Sequence, residues 1–165
     1  MNEDAAPPAD QKARIVGLTL DERTVVRRSP DIEHERAIAI FDLLEENVFR
    51  HLGEVDGPFH LQLSVEENRL IFDLQTPERQ PLDRITLPLS GFRKIVRDYF
   101  MVCESYFQAI RKSSPSQIEA IDMGRRGLHN EGSVLLRERL ADKVELDHNT
   151  ARRLFTLICV LHIRG

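Results

Sequence analysis

"FHLQLSVEENRLIFDLQT", residues 59–76, decides how the rest of the chain is read. Phe59, Leu61, Leu63 and Val65 alternate with His60, Gln62, Ser64 and Glu66, a period of two that turns one set of side chains to a buried face. Leu70, Phe72 and Leu74 answer from a returning segment, and Asn68 tolerates the positive φ of a tight turn. The stretch predicts an antiparallel hairpin, so a sheet belongs near the centre of the fold.

Working outward, "ARIVGLTLD" (13–21) carries Val16, Leu18 and Leu20 against Gly17 and Thr19, the pattern of a half-buried strand. "TVVRR" (24–28) can extend it or pair with it. On the other side "PLDRITLPL" (81–89) reads as a further short strand, with Pro88 at an edge or a strand end. Between the first strand and the hairpin lies "SPDIEHERAIAIFDLLEENVFRHLG" (29–53). Ser29 suits an N-cap, Pro30 the first helical position, and Asp31 and Glu33 the positive end of the dipole. Ile38, Phe41, Leu44, Val48 and Leu52 define a buried stripe of a helix that Gly53 ends.

From Ser90 onward the pattern is helical. "SGFRKIVRDYFMVCESYFQAIRK" (90–112) sets Phe92, Ile95, Val96, Tyr99, Val102, Cys103, Tyr106 and Ile110 on one broad face. Ser114-Pro115-Ser116-Gln117 has the spacing of a capping box, with proline at the first position. "DHNTARRLFTLICVLHI" (147–163) is apolar on nearly all sides and suits a central core helix. Strands with one inserted helix, then three helices, predict an α+β fold: a small, mainly antiparallel sheet with about four helices packed on one face.

At 165 residues and 41% hydrophobic, the chain suits one packed domain, expected over residues 13–165 after a disordered tail at 1–12, "MNEDAAPPADQK". That tail has no apolar stretch of the kind a signal peptide carries. The longest apolar run, "LFTLICVLHI" (154–163), falls short of the ~20 residues of a membrane span. Cys103 and Cys159 fall in apolar helical patterns without a CxxC, the usage of reduced thiols in a cytoplasmic protein. Charge is divided: residues 1–75 hold 8 Lys and Arg against 16 Asp and Glu, and residues 76–165 hold 15 against 11. The two halves attract each other, and the net charge of −4 argues against a nucleic-acid partner.

Three stretches invite a chemical reading. In "GRRGLHNEG" (124–132), three glycines interrupt a helix, each at a cost of about 1 kcal/mol against alanine. On a helical wheel Gly132 joins Ile121, Leu128 and Leu135 on the inward face and is expected to meet the last helix. Arg125 and His129, four apart, sit at the edge of that face. Two readings stand. In one, Arg125 pairs with an acid of the N-terminal half and His129 satisfies a backbone carbonyl. In the other, Arg125, Arg126, His129 and Asn130 form a ligand site for an anion, with His129 or Glu131 as an acid/base and a His129 that titrates near neutrality. Metal binding is not expected, because His-Asn-Glu lacks the four-residue spacing of a helical ligand pair. "SGFRKIVR" (90–97) places Arg93, Lys94 and Arg97 early in a helix, where they contact the acidic half or contribute to the same anion site. In "RRSPDIEHER" (27–36), Asp31, Glu33 and Glu35 already satisfy the helix terminus that Arg27 and Arg28 precede. No phosphate-binding glycine loop, nucleophile elbow or cofactor motif is present.

"RRSPDIEHERAIAIFDLLEEN" (27–47), "SPSQIEAIDMGRRGLHNEG" (114–132) and "ARRLFTLICVLHIRG" (151–165) resemble a proteobacterial uncharacterised protein family of the UPF class. The resemblance spans roughly residues 14–165 and implies a bacterial cytoplasmic protein. It carries no activity, cofactor or catalytic residue with it. The functional expectation is therefore a binding or regulatory module, with an anionic small molecule or a protein as partner. The alternative is a small enzyme acting on a phosphorylated or carboxylated metabolite.

Overall fold

The hairpin forms the middle of a four-stranded sheet in the computed structural model, which describes residues 11–21 and 30–161. In chain order come β1 (Ile15–Leu20), α1 (Pro30–Glu45), β2 (Phe49–His51), β3 (Phe59–Glu66), β4 (Arg69–Gln75), β5 (Pro81–Pro88), α2 (Arg93–Lys112), α3 (Pro115–Leu140), β6 (Val144–Leu146) and α4 (His148–Leu161). The sheet order is β1-β3-β4-β5. β3, β4 and β5 pair antiparallel, and β1 joins β3 in parallel across the α1 connection. The architecture is the expected α+β, with the sheet mainly antiparallel.

Glu66 pairs with Arg69, so the β3–β4 turn is two residues, and both Glu67 (φ 50°) and Asn68 (φ 64°) take positive φ. A turn of that form matches the right-handed twist of its strands. Phe59, Leu61, Leu63, Leu70, Phe72 and Leu74 are fully buried, as the alternation predicts. β5 is an edge strand bounded by Pro81 and Pro88, where a missing N–H costs no ladder bond. The core joins this face to α4, whose Leu154 to Leu161 run is buried throughout. Among the described residues, no helix is long and apolar enough to cross a membrane.

Four expectations need correction. On β1 it is Ile15 that is buried and Val16 that is 40% exposed, because the register with β3 slips between Ile15 and Gly17. The stripe assigned to residues 38–52 is not the buried face of a helix. α1 ends at Glu45, Ile38 and Phe41 are 46% and 64% exposed, and Ala39 and Leu43 point inward instead. The cause lies at the helix end. Asn47 accepts from the Ile15 N–H (2.8 Å) and donates to the carbonyls of Ile15 (2.9 Å) and Leu43 (2.8 Å). Arg14 donates to the carbonyls of Leu44 and Glu45, both at 2.8 Å. Docked in this way, the chain leaves the helix and pairs Phe49–His51 with Val144–Leu146 as a second, two-stranded sheet. On α2, Ile110 is exposed and not part of the buried face. Of the expected tail, residues 1–10 lie outside the described residues, as do the "TVVRR" segment and Ser29. Gln11 and Lys12 instead form a helical turn, and the Lys12 carbonyl accepts from the Gly57 N–H at 2.8 Å.

The capping box holds: Gln117 N–H donates to Ser114 Oγ (3.4 Å), and the Ser114 N–H donates to Gln117 Oε1 (3.3 Å). It starts α3, the helix that carries "GRRGLHNEG".

Candidate functional site

Four helices converge on one cleft of about 300 Å³. α1 contributes Glu35, Ile38, Ala39 and Asp42, spaced to fall on one helical face. α2 supplies Tyr99, and α3 supplies Arg125, Arg126 and His129. From α4 come Asn149, Arg152, Arg153 and Thr156. The volume lies at the small end of the range for small-molecule sites. A second, more open hollow of about 410 Å³ beside β2 and β6 has its charges committed. There Arg137 Nε donates to the Leu146 carbonyl (2.7 Å), and Glu145 pairs with Arg50 (3.6 Å).

Arg125 ties the cleft together. Its guanidinium meets Asp122 at 2.7 Å on its own helix and Glu35 of α1 at 3.4 Å, and it lies 4.7 Å from the centre of the Tyr106 ring. The expected acid of the N-terminal half is therefore Glu35, joined by a second acid from α3. Glu35 itself is held above the usual carboxylate range by burial, an effect that Arg125 and the Tyr99 hydroxyl (3.5 Å) partly oppose. Burial and the charge of Glu35 also raise the Tyr99 phenol. Arg126 shares Asp122 at 3.1 Å, and Arg153 donates to the Glu46 carbonyl at 3.3 Å. Among the described residues, Arg152 and Asp42 form no ion pair.

His129 is 9% exposed and sits between the rings of Tyr99 and Phe155, each centred 5.3 Å away. Its Nε2 lies 2.6 Å from Thr156 Oγ1, not on a backbone carbonyl. Thr156 directs its own hydrogen to the Arg152 carbonyl (3.2 Å), so its oxygen accepts from an Nε2–H of His129. Nδ1 is then an acceptor, and it is buried with no partner. Burial, reinforced by Arg152, Arg125 and His148, pushes the imidazole down to about 4. Titration near neutrality is thus overturned: His129 is neutral at pH 7 and is no general acid there.

The remaining candidates lie elsewhere. Asn130 and Glu131 are exposed, being turned roughly 100° and 200° from His129 around the helix. Arg93 donates to the Asn68 side chain at the β3–β4 turn, and Arg97 is exposed outside the cleft. Neither contributes to it. Gly132 does face α4, because a Cβ there would collide with the Phe155 ring, whereas Gly124 and Gly127 face open space. The residues that the sequence reading missed are Glu35, Asp42, Tyr99, Asn149, Arg152, Arg153 and Thr156. One signal was available: "ARRL" (151–154) repeats the Arg-Arg pair of "GRRG" on the adjacent helix.

The sequence matches the uncharacterised protein family UPF0262 over residues 12–164. A UPF0262 protein of Rhodospirillum rubrum is 64% identical, over 92% of this chain and 93% of its own. Relatives in Paramagnetospirillum magneticum and Rhizobium meliloti are 60% and 57% identical, covering 93% and 95% of this chain and 98% and 99% of theirs. No solved structure matches the chain. With a family match over nearly its whole length and relatives this similar, the chain belongs to the UPF0262 family.

Proposed function

We propose that the protein is a cytoplasmic binding module that holds a small anionic ligand, a carboxylate or a phosphate, in the cleft between its helices. The observation that carries this reading is Arg152, a guanidinium at the cleft with no carboxylate of its own among the described residues. Arg126, Arg153 and Arg152 line the same small space, and forked hydrogen bonds from arginine suit carboxylate and phosphate oxygens. Arg125 contributes less, since Asp122 and Glu35 already occupy it.

Calorimetry with inorganic phosphate, phosphate monoesters and short carboxylates tests this on wild type and on Arg152→Ala. Wild type is expected to bind at least one class, more weakly as salt rises. Arg152→Ala is expected to lose about tenfold in affinity, the scale of one charge-assisted contact. If none of these anions binds, or the variant binds as tightly, the reading fails.

A further inference from the structure

The charges of the cleft divide into those the protein satisfies and those it does not. Arg125 is paired with Asp122 and Glu35 and Arg126 with Asp122, while Arg153 reaches only the neutral Glu46 carbonyl. Among the described residues three charged groups of the cleft have no ion pair, Asp42 on α1 and Arg152 and Arg153 on α4, and of these Asp42 and Arg152 have no side-chain hydrogen bond either. They line the same cleft of about 300 Å³, yet they do not pair with each other. We propose that the ligand is a zwitterion, with its anionic end on Arg152 and an ammonium group on Asp42.

This rests on the anion-binding reading and narrows it. A ligand with negative charge alone would gain from Arg152 but be repelled by the unpaired Asp42 on the α1 wall. One carrying both signs gains at both ends. Ile38 and Ala39 lie on the same face of α1 as Asp42, so a short aliphatic segment between the charged ends meets apolar surface there. A separate feature fits this ligand. His129 Nδ1 is buried without a partner among the described residues, and with the ring proton on Nε2 it is an acceptor that a ligand N–H donor would satisfy and a bare carboxylate or phosphate would not. A cleft of about 300 Å³ suits a small ligand such as an amino acid or an aminoalkyl phosphate.

Matched probes separate this inference from the reading beneath it. O-Phosphoethanolamine and ethyl phosphate share a phosphate monoester and differ by an ammonium group. 4-Aminobutyrate and butyrate differ in the same way around a carboxylate. Calorimetry on the full chain at pH 7 and low salt is expected to show the amino member of at least one pair binding about tenfold more tightly. Asp42→Asn and Asp42→Ala are expected to erase that ratio while leaving the alkyl member bound as well as before or better. Arg152→Ala is expected to weaken both members. Melting curves confirm that these exposed or half-exposed substitutions leave the fold intact. Equal binding within both pairs overturns the zwitterion inference and leaves the anion reading standing. A preference that survives the Asp42 substitutions overturns the placement of the ammonium. Binding of no member by wild type overturns both.

Discussion

The two faces of α3 carry the same unusual residue under opposite conditions. On the inner face Gly132 lies so close to α4 that any Cβ would enter the Phe155 ring. One turn away His129 fills the space between Tyr99 and Phe155. On the outer face, Gly124 and Gly127 have nothing within reach of a Cβ. One glycine therefore permits a helix contact, while the other two only weaken the helix. A glycine in a helical sequence is thus evidence of close packing only where a bulky partner fills the gap it leaves.

The largest expected effect tests the inner face. Gly132→Leu drives a branched side chain into the Phe155 ring at the α3–α4 contact, and overpacking of this kind costs about 3 kcal/mol. Urea unfolding should show that loss for Gly132→Leu but not for Gly127→Leu on the open side. Equal losses at the two positions would erase the distinction between the faces.

Next in size is a pH effect on the same inner face. In the unfolded chain His129 takes its proton near 6.5, and in the fold only near about 4. Above 6.5 the imidazole is neutral in both states and its contribution is fully present. As pH falls below 6.5 the unfolded chain binds the proton first and stability declines, by about 2 kcal/mol at pH 5. Glu35 works in the other direction. Its raised carboxyl binds a proton in the fold before it does so in the unfolded chain, which favours the fold as pH drops toward its ordinary range. Unfolding free energies at pH 7 and pH 5 measure the sum. His129→Gln should remove most of the decline, and an unchanged slope in that variant would mean that the imidazole is not buried neutral.

What the sequence showed of these regions follows from how local each signal is. In β3 and β4 the alternation lies within one strand, and six of the seven expected core residues are fully buried because no distant residue is needed to choose the face; Val65 is half-buried, and Ser64 and Ile71 are covered on the opposite face. α1 defeats the same method. Ile38, Ala39, Ile40, Phe41, Leu43 and Leu44 are apolar nearly all round, so periodicity cannot select the side that Asn47 and Arg14 dock against β1. Strands β2 and β6 have three residues each, too few to show a period. The cleft was half legible. "GRRGLH" stood out because charge and glycine interrupt a helix, which drew attention to Arg125, Arg126 and His129. Arg152 and Asp42 sit in helices that make sense without them, and only the packing of α1 against α4 places them at one opening. The neutrality of His129 was hidden for the same reason, since it depends on rings from two other helices.

The smallest effect tests the outer face and runs opposite in sign. Gly124 and Gly127 have no positive φ and no neighbour to obstruct a methyl group, so alanine fits at both. Each substitution should stabilise the protein by up to about 1 kcal/mol, from the backbone entropy that glycine loses on entering a helix. Thermal and urea unfolding of Gly124→Ala, Gly127→Ala and the double variant measure this. The sites are three residues apart on a solvent-facing surface and share no partner, so the gains should nearly add. A double variant less stable than wild type would mean that something packs closely against this face in solution. The outer glycines would then serve a contact as Gly132 does, and the contrast between the two faces of α3 would disappear.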